Sequence, residues 1–254
     1  MTGEAAKPLL SANDPPPVRV TNADGGSLFL LLGDHAGNLV PETLGNLGLS
    51  ETELGRHIAL DIGVSALGAA LSEMLDAPFV EQRYSRLVID CNRNTAAPDS
   101  SAPVSDGTAV PANAALDPAG RQRRISEIFQ PYHEAIAKRL DARRETVVVA
   151  LHSFTPSLGG QARPWEIGVL HDGGDPRFAL CFLGEISRSG QINVGDNRPY
   201  TMDETDYTVP RHAYPKRRAY VEIEVRQDCL GTPQGVAEMA RIIADSLLRA
   251  ATAH

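Results

Sequence analysis

Short apolar runs that end in polar residues recur along the chain, and they predict buried strands. Residues 27–33 (SLFLLLG), 87–91 (LVIDC) and 146–151 (TVVVAL) have strand length, and polar residues follow each of them. A further strand is predicted for 165–170. In 220–226 (YVEIEVR) the apolar residues alternate with charged ones, which places Glu222 and Glu224 on one face of a strand and Val221 and Ile223 on the other.

In the segments between these runs, apolar residues recur at helical spacing. Three helices are predicted, with a kink at Pro131 in the second, over residues 51–76, 118–144 and 233–251. Residues 95–118 are rich in Ala, Pro, Ser and Asp, which predicts a long surface loop that could act as a lid. Strands that alternate with helices predict an α/β fold, a three-layer α/β/α architecture of the phosphorylase/hydrolase-like kind with a mixed, mostly parallel central sheet.

Length and charge narrow the class of protein. The 254 residues suit one large domain over 27–254, preceded by an extended arm over 1–26 that is rich in Pro, Asn and Asp. A net charge of −8 provides no excess positive potential to bind a phosphate backbone, which argues against nucleic acid as a partner. The chain shows neither a signal peptide nor a membrane-spanning run, and its three scattered cysteines suggest no disulfide framework. We therefore expect a cytoplasmic enzyme.

Four polar sets follow predicted strands, at the end of the sheet where α/β proteins bind ligands. They are His35 with Asn38, Asn92 with Arg93, His152 with Ser153, and Glu224 with Arg226. Two imidazoles can hold Zn²⁺, a carboxylate can take a proton from water, and a guanidinium can bind a carboxylate through two hydrogen bonds. Together these groups supply what metal-assisted hydrolysis of an amide requires.

Each set also has an ordinary structural explanation. A single His at a strand end is commonly a hydrogen-bonded turn residue, and Arg93 could pair with Asp90 or cap a helix. Glu222 and Glu224 could form the solvated face of a strand. Taken singly, none of these signals is specific.

The residues of the motifs and their order along the chain resemble those of a known family. From Gly33 to Leu230, the elements DHAGNLVP, HIALDIGVSALGAALSEML, YSRLVIDCNRN, NRPY and EIEVRQDCL resemble the N-formylglutamate amidohydrolase family. HAGN, DCNRN, LHSF and EVRQD also look like a zinc carboxypeptidase or aspartoacylase type of site. The resemblance implies that His35 and His152 bind Zn²⁺ or another divalent metal and that Glu224 is the general base for the metal-bound water. It also implies that Arg93, with Asn92, holds a substrate carboxylate in an electropositive pocket.

The chain departs from that pattern at Asn38, where a carboxypeptidase-type site has Glu. An amide oxygen is a weaker zinc ligand than a carboxylate, so either Asn38 or another oxygen donor is the third ligand. Asp61 is the first candidate, although it could equally pair with Arg86 or Arg93 as support for the site. Two further residues are predicted to lie beside the substrate. His212 would contact the substrate or the carbonyl oxygen that gains negative charge during the reaction, and Arg163 would line the pocket.

These observations favour a metal-dependent amidohydrolase that cleaves the formyl or short acyl amide of a small acidic amino acid. Two alternatives stay open. If Asn38 means that metal binding is lost, the chain is a non-catalytic binder of acidic metabolites. If the substrate differs, the fold serves a carboxypeptidase or a cell-wall amidase.

Overall fold

A seven-stranded sheet organises the computed structural model, which describes residues 7–203 and 205–253. Its strands are β1 (Val18–Thr21), β2 (Phe29–Gly33), β3 (Phe79–Gln82), β6 (Val147–Phe154), β9 (Ile167–Leu170), β10 (Val194–Asp196) and β11 (Tyr220–Arg226). Two small hairpins lie outside it: β4 (Val104–Ser105) with β5 (Thr108–Ala109), and β7 (Ser157–Leu158) with β8 (Gln161–Ala162). The strand order is β1-β3-β2-β6-β11-β9-β10.

The central strands of the sheet run parallel. β3, β2, β6 and β11 form three successive parallel pairs, and β9 with β10 forms a fourth. Among the described strands of this sheet, β1 with β3 and β11 with β9 are the antiparallel pairs. The carboxyl ends of β2, β6 and β11 therefore meet at one edge of the sheet, as the sequence predicted for a mixed, mostly parallel sheet.

Helices cover both faces of the sheet, which makes the fold an α/β structure. The helices are α1 (Glu51–Leu54), α2 (Val64–Leu75), α3 (Pro111–Ala114), α4 (Pro118–Arg124), α5 (Gln130–Ala142), α6 (Arg177–Arg188), α7 (Thr208–His212) and α8 (Pro233–Ala253). Helices α2, α6 and α8 pack on one face, and α5 packs on the other together with the irregular segments around residues 47–60 and 84–91. None of the described helices is long and apolar enough to cross a bilayer.

Strand alternation decides which side chains share a face. In β11, Val221, Ile223 and Val225 join the core under α2, α6 and α8, as the sequence predicted. Glu222 and Glu224 therefore lie on the α5 side of the sheet. Both are buried, with 2% and 7% of their surfaces exposed, so the explanation of a solvated strand face is wrong.

Two element predictions are wrong for identifiable reasons. The predicted helix over 51–76 is interrupted between α1 and α2, because Gly55 ends the first helix and Gly63 adopts a φ of 87° before the second. Residues 87–91 are buried but form turns instead of a strand. The carbonyls of Leu87 and Val88 accept hydrogen bonds from the side chains of Asn113 and Ser101, respectively, and not from a neighbouring strand.

The predicted helix over 118–144 is present up to Ala142. A π-helical turn over Ile125–Phe129 interrupts it and precedes Pro131, where a kink was predicted. Residues 95–118 pack against the turns at 87–90, and none of them lines the cavity described below. Within the described part of the 1–26 segment, β1 pairs with β3 at the edge of the sheet.

Candidate metal centre and active site

Three buried side chains converge at the carboxyl edge of the sheet. His35, Asp61 and His152 each offer one ligand atom, and these atoms all lie within 4.8 Å of one another. Asp61 Oδ2 lies 2.9 Å from His152 Nδ1 and 3.4 Å from His35 Nδ1. His35 Nδ1 is buried and has no hydrogen-bond partner in the described part of the chain. Two imidazoles and a carboxylate are ligands that suit Zn²⁺, and the unpartnered nitrogen can serve as a ligand atom.

The local backbone brings these groups together. His35 lies two residues after β2, and His152 lies near the end of the adjacent strand β6. Asp61 lies in the break between α1 and α2, where its N–H donates to the carbonyl of His35 over 2.9 Å. The interruption of the predicted helix is therefore what delivers Asp61 to the two histidines.

A further carboxylate lies behind each imidazole. His35 Nε2 is hydrogen-bonded to Asp90 Oδ1 over 2.7 Å, whereas His152 Nε2 lies 3.5 Å from Asp34 Oδ2, a charge contact without a hydrogen bond. Arg86 links the network, since Nη1 donates to Asp61 over 3.2 Å and Nη2 donates to Asp90 over 2.8 Å. Carboxylates behind ligating imidazoles fix the ring and its tautomer, so this network suits a metal centre.

The charged groups of this cluster shift one another's pKa values. Burial acts to raise the pKa of Asp61, but His35, His152 and Arg86 outweigh it and lower that pKa. Burial and the charge of Arg86 act to lower the pKa of His35, but Asp90 and Asp61 raise it overall. The pKa of His152 is likewise raised by its carboxylate neighbours, against burial. Protons and a metal ion therefore compete for the same ligand atoms.

Glu224 lies beside this cluster on the neighbouring strand, in register with His152. Its Oε2 atom is buried and accepts no hydrogen bond from the described residues, and burial raises its pKa to about 7. On the other side, Glu224 is in register with Gly168 of β9. A Cβ atom at Gly168 would lie 1.9 Å from the carbonyl oxygen of Arg198, so glycine allows the 198–201 segment to approach Glu224.

A cavity of about 270 Å³ opens onto these groups. It is lined by His35, Asp61, Arg86, Asn92, Arg93, His152, Ser153, Leu170, Tyr200, Thr201, Asp203, Thr205, Asp206, Glu222 and Glu224. Five of these residues carry carboxyl groups and two carry guanidinium groups. Strand alternation places Glu222 beside Glu224, and Asp203 and Asp206 add further carboxyl groups that motif reasoning did not count, while burial raises the pKa of Glu222 to about 8 and that of Glu224 to about 7.

Other residues predicted for the site lie at or outside the cavity wall. The side-chain oxygen of Asn92 accepts from the N–H groups of Tyr207 and Thr208, so this side chain holds the start of α7 while it lines the cavity. Arg163 does not line the cavity, but its guanidinium lies 4.9 Å from the ring centre of Tyr200, which does. Asn38 is exposed and donates to the carbonyl of Leu54, away from the metal-ligand group.

His212 lies behind the cavity wall, where it packs against His133. His133 Nε2 lies 3.1 Å from the carbonyl oxygen of Cys91, which can only accept, so Nε2 carries the hydrogen. His133 Nδ1 then accepts from His212 Nε2 over 2.9 Å. Burial lowers the pKa of His133 to about 4 and that of His212 to about 3. The pair is therefore neutral in the folded protein, and His212 does not line the cavity.

This neutral pair predicts a loss of stability in mild acid. In the unfolded chain a histidine has a pKa of 6.5, so between that pH and about 4 the unfolded state binds more protons than the folded state does. We expect the free energy of unfolding to fall by about 3 kcal/mol over this window for His133 alone. Urea denaturation at several pH values measures it, with His133→Gln expected to flatten the slope and His171→Gln, at a partly buried histidine outside this pair, as the comparison. An equally steep slope in His133→Gln would contradict the assignment.

Sequence reasoning named some residues of the site only as possible partners and missed others. Asp90 and Arg86, considered as partners of Arg93 and Asp61, lie within the motif that contains Asn92 and Arg93, so their spacing from that pair was an available signal. Alternation along a strand would place Asp34 and His35 on opposite faces, but β2 ends at Gly33 and the chain has left the strand there. Asp203 and Asp206 carried no recognisable signal.

Comparison with known proteins agrees with this architecture. Residues 27–230 match the family model of N-formylglutamate amidohydrolase. A gene product from Agrobacterium tumefaciens is similar in structure, with a TM-score of 0.90, 36% identity and coverage of 96% of this chain and 98% of that one. An N-formylglutamate amidohydrolase from Ralstonia eutropha has a TM-score of 0.68 at 19% identity and covers 94% and 98% of the two chains. No curated protein sequence matches the chain significantly. Because the family model spans most of its length, the chain belongs to the N-formylglutamate amidohydrolase family and is a hydrolase that acts on amide bonds.

Proposed function

We propose that this chain is a metal-dependent amidohydrolase that cleaves the formyl or short acyl amide of a carboxylate-bearing amino acid. The observation that carries the proposal is the buried group of His35, Asp61 and His152, which opens onto a cavity beside Glu224. This arrangement favours an enzyme over a non-catalytic binder, because a binding protein has no need of a metal-ligand group next to an unpartnered carboxyl group.

The three ligand residues suit Zn²⁺ or another divalent metal. Asp61, and not Asn38, is proposed as the third ligand. When bound, such an ion polarises the acyl carbonyl and lowers the pKa of a water molecule at the site. Asp90 and Asp34 would hold the two imidazoles with their ligating nitrogens toward the cluster. Arg86 would keep Asp61 and Asp90 ionised and in place.

Glu224 is proposed as the general base and then the general acid. Its Oε2 atom has no partner among the described residues, so it is free to take a proton from the attacking water. The same carboxyl group can return that proton to the amine nitrogen as it leaves. A pKa of about 7 suits both steps, because the group then exchanges a proton readily near neutral pH.

Arg93 is proposed to hold the carboxylate of the amino acid at the cavity wall. Its Nη1 donates to the carbonyls of Asn92 and Thr205, and its Nε donates to Asp99. These bonds fix the guanidinium, while Nη2 makes no hydrogen bond with the described residues. An orientated guanidinium with a free edge suits a carboxylate, and precise placement of a substrate contributes strongly to rate.

The first experiment is metal analysis combined with turnover. Purified protein is loaded with Zn²⁺ and assayed for amine release from N-formyl and N-acetyl amino acids, with N-formylglutamate, the compound in the family name, as the first substrate. We expect Zn²⁺ at about one ion per chain and hydrolysis that a chelator abolishes. Protein that binds no metal and gains no activity would instead support the non-catalytic binder. Preferential cleavage of peptides would support the peptidase alternative.

Arg93→Ala provides a separate prediction about the carboxylate. We expect KM for an N-formyl amino acid to rise by about 10-fold to 100-fold, because a charged hydrogen bond to the substrate is lost. Turnover of the matching N-formyl amino acid amide, which lacks the carboxylate, should change little. If both compounds lose activity equally in Arg93→Ala, Arg93 does not hold the carboxylate.

A further inference from the structure

Tyr200 forms part of the cavity wall, in the segment that Gly168 allows to approach Glu224. Its hydroxyl accepts a hydrogen bond from Arg163 Nη1 over 3.0 Å, and the guanidinium of Arg163 also lies 4.9 Å from the centre of its ring. A phenol can accept and donate, whereas a guanidinium can only donate. The hydroxyl hydrogen of Tyr200 is therefore not used by Arg163, and no other described residue accepts it.

This hydroxyl keeps its hydrogen and lies within electrostatic reach of the proposed reaction centre. Partial burial and the carboxyl group of Glu224 raise the pKa of Tyr200, and Arg163 opposes them without reversing the shift. The carboxylate of Asp61 also acts to raise this pKa, so the hydroxyl is near both the proposed base and the metal-ligand group. A phenol that stays protonated at neutral pH can donate to an oxygen that gains negative charge.

Most other hydrogen-bond donors of the cavity wall are already engaged. Three of them have acceptors among the described residues: Arg86, Asn92 and Ser153. Thr201 and Thr205 also line the cavity, but no described cation donates to either hydroxyl group. Because hydrogen bonds in a chain polarise one another, the bond from Arg163 makes the hydroxyl of Tyr200 a stronger donor than a threonine hydroxyl.

We propose that Tyr200 is a catalytic residue that donates a hydrogen bond to the acyl oxygen as it becomes an oxyanion, and that Arg163 positions and polarises it. This role rests on the proposed amide hydrolysis. The sequence predicted such a contact for His212, which lies behind the cavity wall. Tyr200 lines the cavity and has the free hydrogen that the contact requires.

The hydrogen bond accompanies the movement of one electron pair. When the oxygen of water bonds to the acyl carbon, the carbon–oxygen double bond becomes single and its electron pair passes to the acyl oxygen, while Glu224 takes one proton of the water. The pair then re-forms the double bond as the carbon–nitrogen bond breaks, and the nitrogen leaves with its own electron pair and the proton from Glu224. Tyr200 keeps its hydrogen throughout.

Tyr200→Phe removes the hydroxyl group and keeps the ring. We expect kcat for an N-formyl or N-acetyl amino acid to fall by about 10-fold to 100-fold while KM stays within about 2-fold, because the hydrogen bond strengthens only as charge develops. Tyr207→Phe is the matched control, since the hydroxyl of Tyr207 accepts from Arg211 over 2.5 Å in a similar contact but does not line the cavity. A parent-like kcat in Tyr200→Phe, or an effect confined to KM, would overturn the proposal.

Binding of a tetrahedral analogue tests the same contact without turnover. N-methylphosphonylglutamate carries an anionic tetrahedral group in the place of a planar acyl group, and glutamate lacks that group altogether. By calorimetry on Zn²⁺-loaded protein, we expect Tyr200→Phe to weaken binding of the phosphonyl compound by about 10-fold and that of glutamate by less than about 2-fold. Equal changes for the two compounds would overturn the role of Tyr200. Absence of hydrolysis with this binding difference intact would count against the proposed function alone.

A double variant tests the positioning role of Arg163. Arg163→Met removes the guanidinium, and we expect it to lower kcat by about 3-fold to 10-fold because the hydroxyl is no longer held or polarised. In Tyr200→Phe the same substitution should cause no further loss, since Arg163 acts through the hydroxyl group. Arg163→Lys, which keeps a cationic donor, should recover part of the kcat. Additive losses in the double variant, at an unchanged melting temperature, would contradict the positioning role.

Discussion

Glu224→Gln is expected to lower kcat by about 10²-fold to 10⁴-fold, the range that a general acid and base contributes. Glutamine has nearly the same size and can still face the cavity, but it can neither accept the proton of water nor return it to the leaving amine. The metal content and the melting temperature should therefore stay close to those of the parent. Steady-state kinetics with the best N-formyl substrate, together with metal analysis of the same sample, measures both effects.

Glu73→Gln is the control for this variant, because it makes the same change of group at an exposed position of α2 that does not line the cavity. Its kcat should stay at the parent value, whereas Glu224→Gln should lower kcat for every substrate. Parent-like turnover in Glu224→Gln would show that another group handles the proton. Loss of metal in the same variant would make Glu224 a ligand instead.

Loss of a metal ligand should have the second large effect. Asp61→Ala or His152→Ala is expected to leave the protein without tightly bound metal and to reduce activity to background, because two remaining ligands hold Zn²⁺ weakly. Asp90→Asn should act more mildly, with a loss of about 10-fold to 100-fold in metal affinity, since it changes only the group behind His35. Competition with a coloured chelator measures these affinities directly.

Asn38→Ala distinguishes the two candidates for the third ligand. Asn38 is exposed and bonds to Leu54, so its removal should leave metal affinity within about 2-fold of the parent value, and Asp61 would then be the oxygen donor. The opposite result, with metal lost from Asn38→Ala and kept in Asp61→Ala, would restore the carboxypeptidase-type arrangement. Folding of Asp61→Ala is checked by circular dichroism, because this variant also frees Arg86.

The sequence predicted the mixed, mostly parallel sheet and most of the helices, and each of the four polar sets contributes at least one residue to the cavity. Those predictions succeeded where a local pattern is compatible with only one tertiary arrangement. Alternation along β11 is one case, since any burial of Val221, Ile223 and Val225 forces Glu222 and Glu224 to the opposite face. Prediction failed at 87–91, because an apolar segment can be buried as a turn when side chains such as Asn113 satisfy its carbonyls.

Asp61 marks the limit of reasoning from sequence. Its spacing among Ile58, Ile62 and Leu67 indicated a helix, and both of its possible roles stayed open. In the structure its position suits both of them, since one oxygen contacts Arg86 and the other lies beside His152. Helical periodicity could not reveal this, because the bond from its N–H to the carbonyl of His35 is a contact between segments.

The sequence by itself determined the kinds of chemical group available and the order of strands and helices that carries them. Apolar periodicity is local, so it reports which residues are buried and which face of an element they occupy. Only the tertiary structure decided which polar groups meet. It brought Asp61, and not Asn38, to the two histidines, placed His212 behind the cavity wall, and added Asp203 and Asp206 to the cavity. The physical reason is that charges interact through space, and the distances between them are fixed by packing between segments far apart in the chain.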